Sequence, residues 1–551
     1  MAISERTQNF RARQQDRFIS PHLGVQTDFE AVYKYGEIEV GWPEGVTRIF
    51  ENLARPNSKA IVGVALGDEG KGRIIDNEIQ AMLAIKGIQL VNVIRYQGGN
   101  NAGHTIKVGE RKLALHQVPS GVMYEQTVGI MDKGMIINPD DLKEEIKIIE
   151  AIPGVGNTRD KLYLSPDAIL NTDLERAEEL LNRYRDELVS AAPEIGQNIL
   201  SNLTTVIPGK AGGGTGRGIG PSYAHHVDRL GLHVFDLMDE NWKETLGKQY
   251  DRYEKEFHAY GIDISSMLVP DFAKTKETKK EQKRSLGNKA EFLDRLEAAR
   301  TWLIERDMVK NTYILHRNIY NDMAQGVLLE GAQAVGIGRP HGTQPDVSGS
   351  DPSVYGIHEG TGYWMVPDIA ERIGIFKLTY TSSVGSRHMP TEAHDDWSRW
   401  VREEAHEYGT TTGRPRDILY LDLAMLGYNI HVSGAEMLAG THLDLAQEGE
   451  NIKVCTHYTN ENGDFIPYQS GLRYQKDVIP HYVELPGWDG KAVSSAKSFA
   501  ELPENAKKFL SFLQRRLGTP IIAATTGPER ENYLQIPDSL PPKATLMGGF
   551  D

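Results

Sequence analysis

The chain has 551 residues, of which 39% are hydrophobic and 25% charged, and its formal net charge is −15. This composition is typical of a globular protein, and the negative charge disfavours a nucleic-acid-binding surface as the main function. The single cysteine, Cys455, excludes an intramolecular disulfide and a cysteine zinc cluster, and it suits a reducing compartment.

Residues 1–56 are predicted to form an extension that packs on the surface or at a subunit contact. They mix charged and aromatic residues without a long period and end among Pro43, Gly45 and Pro56. The first 28 residues lack the apolar centre of a secretory signal, and no apolar run reaches the length of a membrane span. We therefore expect a cytoplasmic protein, with a transit peptide as the alternative.

From residue 57 to residue 551 the chain alternates between strand-like and helix-like segments. The strand-like runs are short and apolar, whereas the helix-like runs are amphipathic. This alternation predicts an α/β fold with a mostly parallel central sheet flanked by helices. The predicted strands are 60–64, 89–94, 127–131, 327–330, 437–443 and 520–525, and the predicted helices are 139–152, 174–189, 506–517 and one that begins with 73–79.

Two segments are predicted to be surface elaborations of this domain. The first, 185–207, interrupts the approach to a glycine cluster, and the second, about 240–312, is a long charged insertion. We interpret the charge run 274–284 at the centre of this insertion as a solvated helix or loop.

The most informative segment is the glycine loop 67–72, which reads Gly-Asp-Glu-Gly-Lys-Gly. A strand, a glycine loop and a helix N-terminus in succession direct backbone N–H groups at a phosphate. The loop is not a Walker A motif, because Ala65 stands where that motif has glycine and Gly72 where it has serine or threonine. The sequence therefore predicts phosphate binding without an ordinary P-loop.

Two more glycine clusters carry polar side chains that core packing does not explain. The loop 97–105 offers carboxamides and the imidazole of His104, and it follows a strand. The cluster 212–221 contains Thr215 and is followed by Arg229. So much glycine costs chain entropy, and that cost is reasonable where the backbone wraps an anion.

Four further segments place polar groups at strand ends or in loops: 329–343, 409–416, 440–444 and 525–530. The arginines and threonines of 409–416 suit a dicarboxylate, because a guanidinium group binds a carboxylate through two parallel hydrogen bonds. Asp444, at a strand end, can accept hydrogen bonds from the N1–H and the amino group of guanine.

In this order, the blocks 67–72, 97–105 and 215–221 resemble the adenylosuccinate synthetase family. The resemblance covers roughly residues 58–535 and rests on the combination, since one glycine loop is a weak signal. It implies an α/β fold related to P-loop NTPases. It also implies a ligase of AMP biosynthesis that joins L-aspartate to C6 of IMP through 6-phosphoryl-IMP. This reaction uses GTP and Mg²⁺, and the family works as a homodimer with a shared active site.

The resemblance also implies roles for individual residues. Asp68 takes the N1 proton, His104 donates to the transferring phosphoryl group, Lys71 contacts the phosphates, and Asp68 with the carbonyl of Gly103 holds Mg²⁺. Arg229 reaches IMP in the other subunit. The binding sets are Asn101, Thr215, Arg229, Gln333, Ser348 and Arg414 for IMP; Thr411, Thr412, Arg414 and Arg416 for L-aspartate; and Gly67, Glu69, Gly70, Lys71, Gly72, Asp444, Thr526 and Gly527 for GTP.

Three departures from the family's motifs bear on specificity. Ala65 and Leu66 stand where the family usually has Gln-Trp, and His442 stands where it has a lysine whose stem covers guanine. The run 334–351 differs most, although Ser348 keeps a hydroxyl where the family has a phosphate-binding threonine.

These departures leave three hypotheses open. The first is an active adenylosuccinate synthetase. The second is a sister ligase with another purine acceptor, such as dGMP, or with ATP as the phosphoryl donor. The third is a nucleotide-binding protein without catalysis that uses its extension and insertion for protein contacts. Asp68 favours the first, because similar enzymes that act on dGMP typically replace the catalytic aspartate.

Overall fold

The structure is a computed structural model that describes residues 54–101, 103–108, 111–183, 215–278, 282–384, 387–409, 415–471 and 478–537. The predicted extension up to residue 53 and the segment 185–207 lie outside these ranges. Within them, no helix combines the length and the apolar character that crossing a bilayer requires.

The described strands are short, and most of those in the main sheet are buried. In chain order they are β1 Arg55–Gly63, β2 Leu90–Arg95, β3 His104–Val108, β4 Arg111–Leu115, β5 Thr127–Met131, β6 Ile136–Ile137, β7 Leu162–Leu164, β8 Ile169–Leu170, β9 Leu268–Pro270, β10 Lys283–Ser285, β11 Gln325–Glu330, β12 Ile369–Lys377, β13 Tyr380–Ser383, β14 Asp417–Asp422, β15 Met437–Thr441, β16 Asn451–Thr459, β17 Phe465–Ile466, β18 Ile479–Pro486, β19 Ile521–Thr525 and β20 Tyr533–Gln535.

Helices follow most of the strands of the main sheet. They are α1 Lys71–Leu83, α2 Pro139–Glu150, α3 Asp173–Arg183, α4 Ile219–Asp228, α5 Val234–Met238, α6 Trp242–Ala259, α7 Phe272–Thr278, α8 Lys289–Glu305, α9 Thr312–Asn321, α10 Gly356–Thr361, α11 Asp396–Glu404, α12 Leu423–Ser433, α13 Gly490–Ser495 and α14 Glu504–Leu517. The predicted α/β architecture, a mostly parallel sheet flanked by helices, is confirmed.

The main sheet, counted over the described residues, has nine strands in the order β20-β19-β15-β12-β1-β11-β2-β5-β7. All neighbours pair in parallel except β20, which pairs antiparallel with β19. The carboxyl ends of parallel strands meet at one edge of a sheet, and ligands of open α/β sheets bind there. The segments after β1, β2, β11, β15 and β19 therefore share one edge, which we call the carboxyl edge.

Helix α1 begins at Lys71, within the glycine loop 67–72, and packs on one face of the sheet. Its N-cap, Gly70, has a φ of 85°, a left-handed conformation that glycine adopts without strain. Ile74, Ile75 and Ile79 are fully buried against Val93 and other sheet residues. This packing holds the N-terminus of α1 at the carboxyl edge.

The charged stretch 240–312, predicted to be a surface insertion, contributes buried residues to a second hydrophobic core. Tyr250, Phe257, Phe292 and Leu303 of α6 and α8 are each no more than 1% exposed and pack with α2 and β7. The spacing of the aromatic residues on α6 puts them on one helix face, a signal that the high charge of the stretch concealed. The prediction of a surface elaboration is therefore wrong for these helices.

The charge run at the centre of that stretch is partly solvated and partly paired. The side chain of Lys274 on α7 is 66% exposed. Arg284 on β10, by contrast, pairs with Asp173 at 2.7 Å and its side chain is 20% exposed. Residues 279–281 lie outside the described part of the chain. The predicted solvated surface therefore fits Lys274 but not Arg284.

A second sheet lies next to the carboxyl edge. Over the described residues its strands run β13-β14-β16-β17, and β18 also pairs with β16. Strand β13 follows β12 after two residues, and β14 is preceded by Arg416. This short connection brings Arg416, the last residue of the predicted 409–416 block, and the segment 440–444 to the same side of the molecule.

Candidate functional site

The glycine loop after β1 forms a compact turn. Gly67, Asp68 and Gly70 have positive φ angles of 97°, 52° and 85°, so the chain bends sharply before α1. The buried carboxylate of Glu69 accepts a hydrogen bond from the Gly67 N–H at 2.8 Å and pairs with Lys71 Nζ at 2.7 Å. A backbone N–H and an ammonium group thus converge on an anion in this structure, as a phosphate loop requires.

The last residue of strand β15, Thr441, contacts this loop. Thr441 Oγ1 donates a hydrogen bond to the carbonyl oxygen of Glu69 at 2.8 Å. A Cβ atom at Gly70 would lie 3.2 Å from the Thr441 side chain, so glycine permits the close approach. Gly72 is buried in the first turn of α1. The predicted GTP-binding residues of 67–72 are therefore held together beside the end of β15.

Two polar atoms at the ends of β15 and β19 are buried without a hydrogen-bond partner among the described residues. They are Asp444 Oδ1 and Thr526 Oγ1. Burial raises the pKa of Asp444. Leu443 N–H donates to the Thr525 carbonyl at 3.0 Å, which joins the two strand ends. An unpaired buried acceptor costs free energy unless a ligand's donor meets it.

The loops after β2 and β11 bring two predicted IMP-binding carboxamides into contact. Asn101 Oδ1 accepts hydrogen bonds from Gln333 Nε2 and from the Gly99 N–H, both at 3.3 Å. Gln333 Oε1 is buried and unpartnered among the described residues. A Cβ atom at Gly98 would lie 3.2 Å from that oxygen, so glycine there lets the amide approach.

The segment with the largest departure from the family's motif is anchored by a buried arginine. Arg387 Nη2 donates to the Asp346 carbonyl at 2.6 Å, and Nη1 donates to the Val384 carbonyl at 2.9 Å. Burial lowers the pKa of Arg387 to about 10. Ser348 Oγ is buried and lacks a partner among the described residues. Arg387 thus fixes the loop that carries Ser348 to the segment after β13.

Arg416 connects the glycine loop to the region predicted to bind L-aspartate. Its Nη2 pairs with the Asp68 carboxylate, and its Nη1 lies 2.7 Å from Glu407 Oε2. Burial alone would lower the pKa of Arg416, but the two carboxylates outweigh burial and raise it. The predicted base and one predicted aspartate-binding residue therefore meet, although almost 350 residues separate them in sequence.

Other predicted residues are not brought into these contacts. Thr215 and Arg229 are exposed, and Arg229 ends α4 in a left-handed conformation with a φ of 68°. Gly103 and the backbone of His104 follow the Asn101 loop at the start of β3. Gly527 follows Thr526 in the loop after β19. Thr411, Thr412 and Arg414 lie outside the described residues, as do the side-chain contacts of His104.

Three further residues near Arg416 were not predicted from the sequence: Glu407, Lys377 and Tyr380. Lys377 and Tyr380 both bond to the buried Glu407 carboxylate. Two signals were available: a lysine directly after the apolar run 373–376, and an acidic residue just before the 409–416 block. Neither signal says which residues meet, because their contacts depend on the arrangement of the two sheets.

The oxygen atoms of the glycine loop suit a magnesium ion. No cluster of three His, Cys, Asp or Glu side chains that could hold a metal occurs within the described ranges. Mg²⁺ commonly binds one or two carboxylates and takes its remaining ligands from substrate phosphates and water. The Asp68 side chain in the glycine loop is 39% exposed, so it fits this mode of binding.

Comparisons with known proteins identify the family of this chain. The profile of the adenylosuccinate synthetase family matches residues 60–534. The adenylosuccinate synthetase of Clostridium botulinum (strain Eklund 17B / Type B) is 32% identical over 480 residues, which cover 86% of this chain and 98% of that protein. The Geobacter sulfurreducens protein of the same name is 33% identical over 482 residues, covering 86% and 97%.

Among solved structures, a fully ligated adenylosuccinate synthetase from Plasmodium falciparum matches with a TM-score of 0.71 and 30% identity. The match covers 87% of this chain and 100% of that one. The family profile, the relatives and the fold agree over the part of the chain that carries the glycine loops. The chain therefore belongs to the adenylosuccinate synthetase family, the ligases that join IMP to aspartate in purine biosynthesis.

Proposed function

We propose that this chain joins L-aspartate to C6 of IMP and hydrolyses GTP to GDP and phosphate. The observation that carries the proposal is the pairing of Asp68 with Arg416 beside the phosphate loop. A base, a phosphate-binding loop and a carboxylate-binding arginine then face one another, and the reaction needs all three. A protein that only binds nucleotides does not need this combination.

In the proposed first step, Asp68 removes the N1 proton of IMP. The O6 atom then forms a bond to the γ-phosphorus of GTP, and the bond from that phosphorus to the bridging oxygen breaks, which leaves GDP and 6-phosphoryl-IMP. Lys71 and the N–H groups of the glycine loop stabilise charge on the phosphates, and His104 donates to the transferring oxygens. Positioning and charge stabilisation do most of the work in such transfers.

In the second step, the amino group of L-aspartate bonds to C6 and phosphate leaves with the O6 oxygen. Arg416, with Thr411, Thr412 and Arg414, is proposed to bind the carboxylates of L-aspartate. Arginine suits this role because its planar fork matches a carboxylate. Asn101, Gln333 and Ser348 are proposed to hold IMP. Asn101 and Gln333 bond to each other, and Gln333 Oε1 and Ser348 Oγ are buried without a partner among the described residues, which supports this role.

Guanine recognition is proposed for the ends of β15 and β19. Asp444 Oδ1, which has no partner in the described part of the chain, can accept from guanine N1–H or from the amino group, whereas adenine offers no N1–H. Thr526 and Gly527, directly after β19, are proposed to contact the guanine base as well. A carboxylate acceptor at this position supports GTP over ATP as the phosphoryl donor.

Mg²⁺ is the proposed cofactor, held by Asp68 and the carbonyl of Gly103. When bound, it neutralises charge on the phosphates. We further propose a cytoplasmic enzyme, which the single, buried Cys455 suits.

A homodimer with a shared site is proposed from the surface around Arg229. The neighbouring side chains of Val227, Leu230 and Phe235 are 66%, 53% and 47% exposed. Exposed apolar residues grouped in this way often mark a protein interface. If a second copy of this chain covers these residues, Arg229 of the first copy would approach the IMP site of the second.

The test is a phosphate-release assay with Mg²⁺ and L-aspartate that crosses IMP and dGMP with GTP and ATP, with products identified by mass. We expect adenylosuccinate from IMP and GTP. Turnover with only another acceptor or donor would assign the chain to a sister ligase. Binding of nucleotide without turnover in every combination would favour a protein without catalysis.

A further inference from the structure

The buried carboxylate of Glu407 connects three segments of the chain. It accepts a hydrogen bond from the Tyr380 hydroxyl on β13 at 2.5 Å, pairs with Lys377 at the end of β12, and pairs with Arg416 at 2.7 Å. Its side chain is 1% exposed. Burial by itself would raise the pKa of Glu407, but Lys377 and Arg416 lower it to about 2. The group is therefore an anion at neutral pH.

One branch from Glu407 leads to the proposed base. Arg416 has both ends of its guanidinium group engaged, with Nη1 on Glu407 and Nη2 on Asp68. A planar guanidinium group held at one end has little freedom to turn at the other. Glu407 thereby sets the position of the Arg416 edge that faces Asp68 and, by the proposed function, L-aspartate.

The other branch leads to the loop proposed to read the nucleotide base. The Tyr380 oxygen lies 2.6 Å from His442 Nδ1, and the two rings stack with centroids 5.6 Å apart and planes 15° apart. Burial lowers the pKa of His442 to about 4, so the imidazole is neutral near pH 7. His442 stands two residues before Asp444.

The direction of these hydrogen bonds follows from the donors available. An ionised carboxylate only accepts, so the Tyr380 O–H donates to Glu407. The Tyr380 oxygen must then accept from His442, which places the one imidazole proton on Nδ1. The Glu407 charge therefore selects the tautomer of His442, and Nε2 is left as an acceptor.

We propose that Glu407 is a positioning residue that fixes the positions of two substrate-binding elements. The first is Arg416, for L-aspartate, and the second is the His442 loop, which Glu407 contacts through Tyr380, for the base of GTP. The inference rests on the proposed function for the identity of the two substrates. It predicts that the two branches can be broken separately, because Tyr380 belongs to one of them alone.

The experiment compares Glu407→Gln and Tyr380→Phe in steady-state kinetics, with KM for GTP and for L-aspartate measured separately. We expect Glu407→Gln to raise both KM values by at least about tenfold, the effect of losing a charge-assisted hydrogen bond. Tyr380→Phe should raise KM for GTP several-fold and leave KM for L-aspartate within about twofold. A purely structural role would not separate the two substrates.

Glu78 on α1 provides a matched control. Its buried carboxylate also binds a lysine and a tyrosine, with Lys59 Nζ at 2.7 Å and the Tyr533 hydroxyl at 3.1 Å. Glu78→Gln should lower thermal stability about as much as Glu407→Gln while leaving both KM values near those of the wild type. Equal KM changes in the two variants would overturn the proposal.

The proposal is also overturned if Tyr380→Phe raises both KM values or neither. If Glu407→Gln fails to fold, the Tyr380→Phe result decides. Direct binding of a fluorescent GTP analogue separates this inference from the proposed function. A wild type without turnover refutes the function alone, whereas unchanged GTP binding in Tyr380→Phe refutes the His442 branch whether or not the wild type turns over.

Discussion

Lys71 Nζ lies 2.7 Å from Glu69 Oε2, and the two side chains are only 4% and 1% exposed. The pair lies inside the glycine loop proposed to bind phosphate, so the loop carries its own anion in this structure. A phosphate group that enters must share Lys71 with Glu69 or replace that carboxylate. The pair therefore bears on both the stability of the loop and its affinity for GTP.

Removal of one partner of this pair should be more harmful to folding than removal of both. Lys71→Met leaves a buried carboxylate unpaired, which costs roughly 3–5 kcal/mol. The double variant Lys71→Met/Glu69→Met should recover much of that loss and remain inactive, because the phosphate-binding ammonium is still missing. Thermal unfolding and the phosphate-release assay measure the two effects. A double variant less stable than Lys71→Met would contradict this account.

Substitution of the proposed base should remove catalysis without unfolding the protein. Asp68→Asn should lower kcat by roughly 10²–10⁴-fold, the usual contribution of a general base. Asp307→Asn is a matched control, because Asp307 is also an exposed aspartate with a φ near that of Asp68, 51° against 52°. A turnover rate of Asp68→Asn close to that of Asp307→Asn would refute the assigned role.

Asp444 should determine the preference for guanine. Asp444→Asn replaces a carboxylate acceptor by an amide that can meet the N1–H with one oxygen only. We expect kcat/KM for GTP to fall by roughly 10- to 100-fold, with a smaller change for ATP. The ratio of the two kcat/KM values checks this, and a ratio equal to that of the wild type would place guanine recognition elsewhere.

A charge within the exposed apolar surface near Arg229 should weaken the proposed dimer. Leu230→Glu places a carboxylate where we expect a second subunit to pack. Ile304→Glu on α8 is the control, because Ile304 is 51% exposed against 53% for Leu230 and lies outside the proposed interface. Sedimentation velocity should detect monomers for Leu230→Glu alone, with loss of activity on dilution. Dimers of unchanged affinity in both variants would count against this interface.

The stability of the protein should depend on the protonation of His442. Its pKa is lowered from 6.5 to about 4 in the folded chain, so between these values the unfolded chain binds the additional proton. Stability from this group is therefore complete above pH 6.5 and falls as the pH drops towards 4, by up to about 3 kcal/mol.

His442→Asn provides the comparison, because its amide N–H can still donate to Tyr380 but does not titrate in this range. The melting temperature of the wild type should fall relative to that of His442→Asn between pH 7 and pH 5. All other titrating groups are common to both proteins and cancel in the difference. Parallel curves would show that His442 is not buried in its neutral form.

The amino-acid sequence by itself determined the α/β architecture, the positions of its main strands and the glycine loops. Apolar runs such as 127–131 are local signals, and this strand has the predicted bounds in the structure. The loop 67–72 was equally visible, because glycine adopts the positive φ angles of residues 67 and 70 without strain. Family membership followed from the order of these blocks, which the comparisons confirmed.

The tertiary structure alone decided which distant side chains meet. The contact of Asp68 with Arg416, the anion at Glu407 and its link through Tyr380 to His442 depend on how the second sheet lies beside the first. The burial of one face of α6, a helix in a highly charged stretch, was likewise decided by the tertiary structure. Such contacts join residues far apart in sequence, and a local pattern carries no information about them because strand order and sheet packing set the distances.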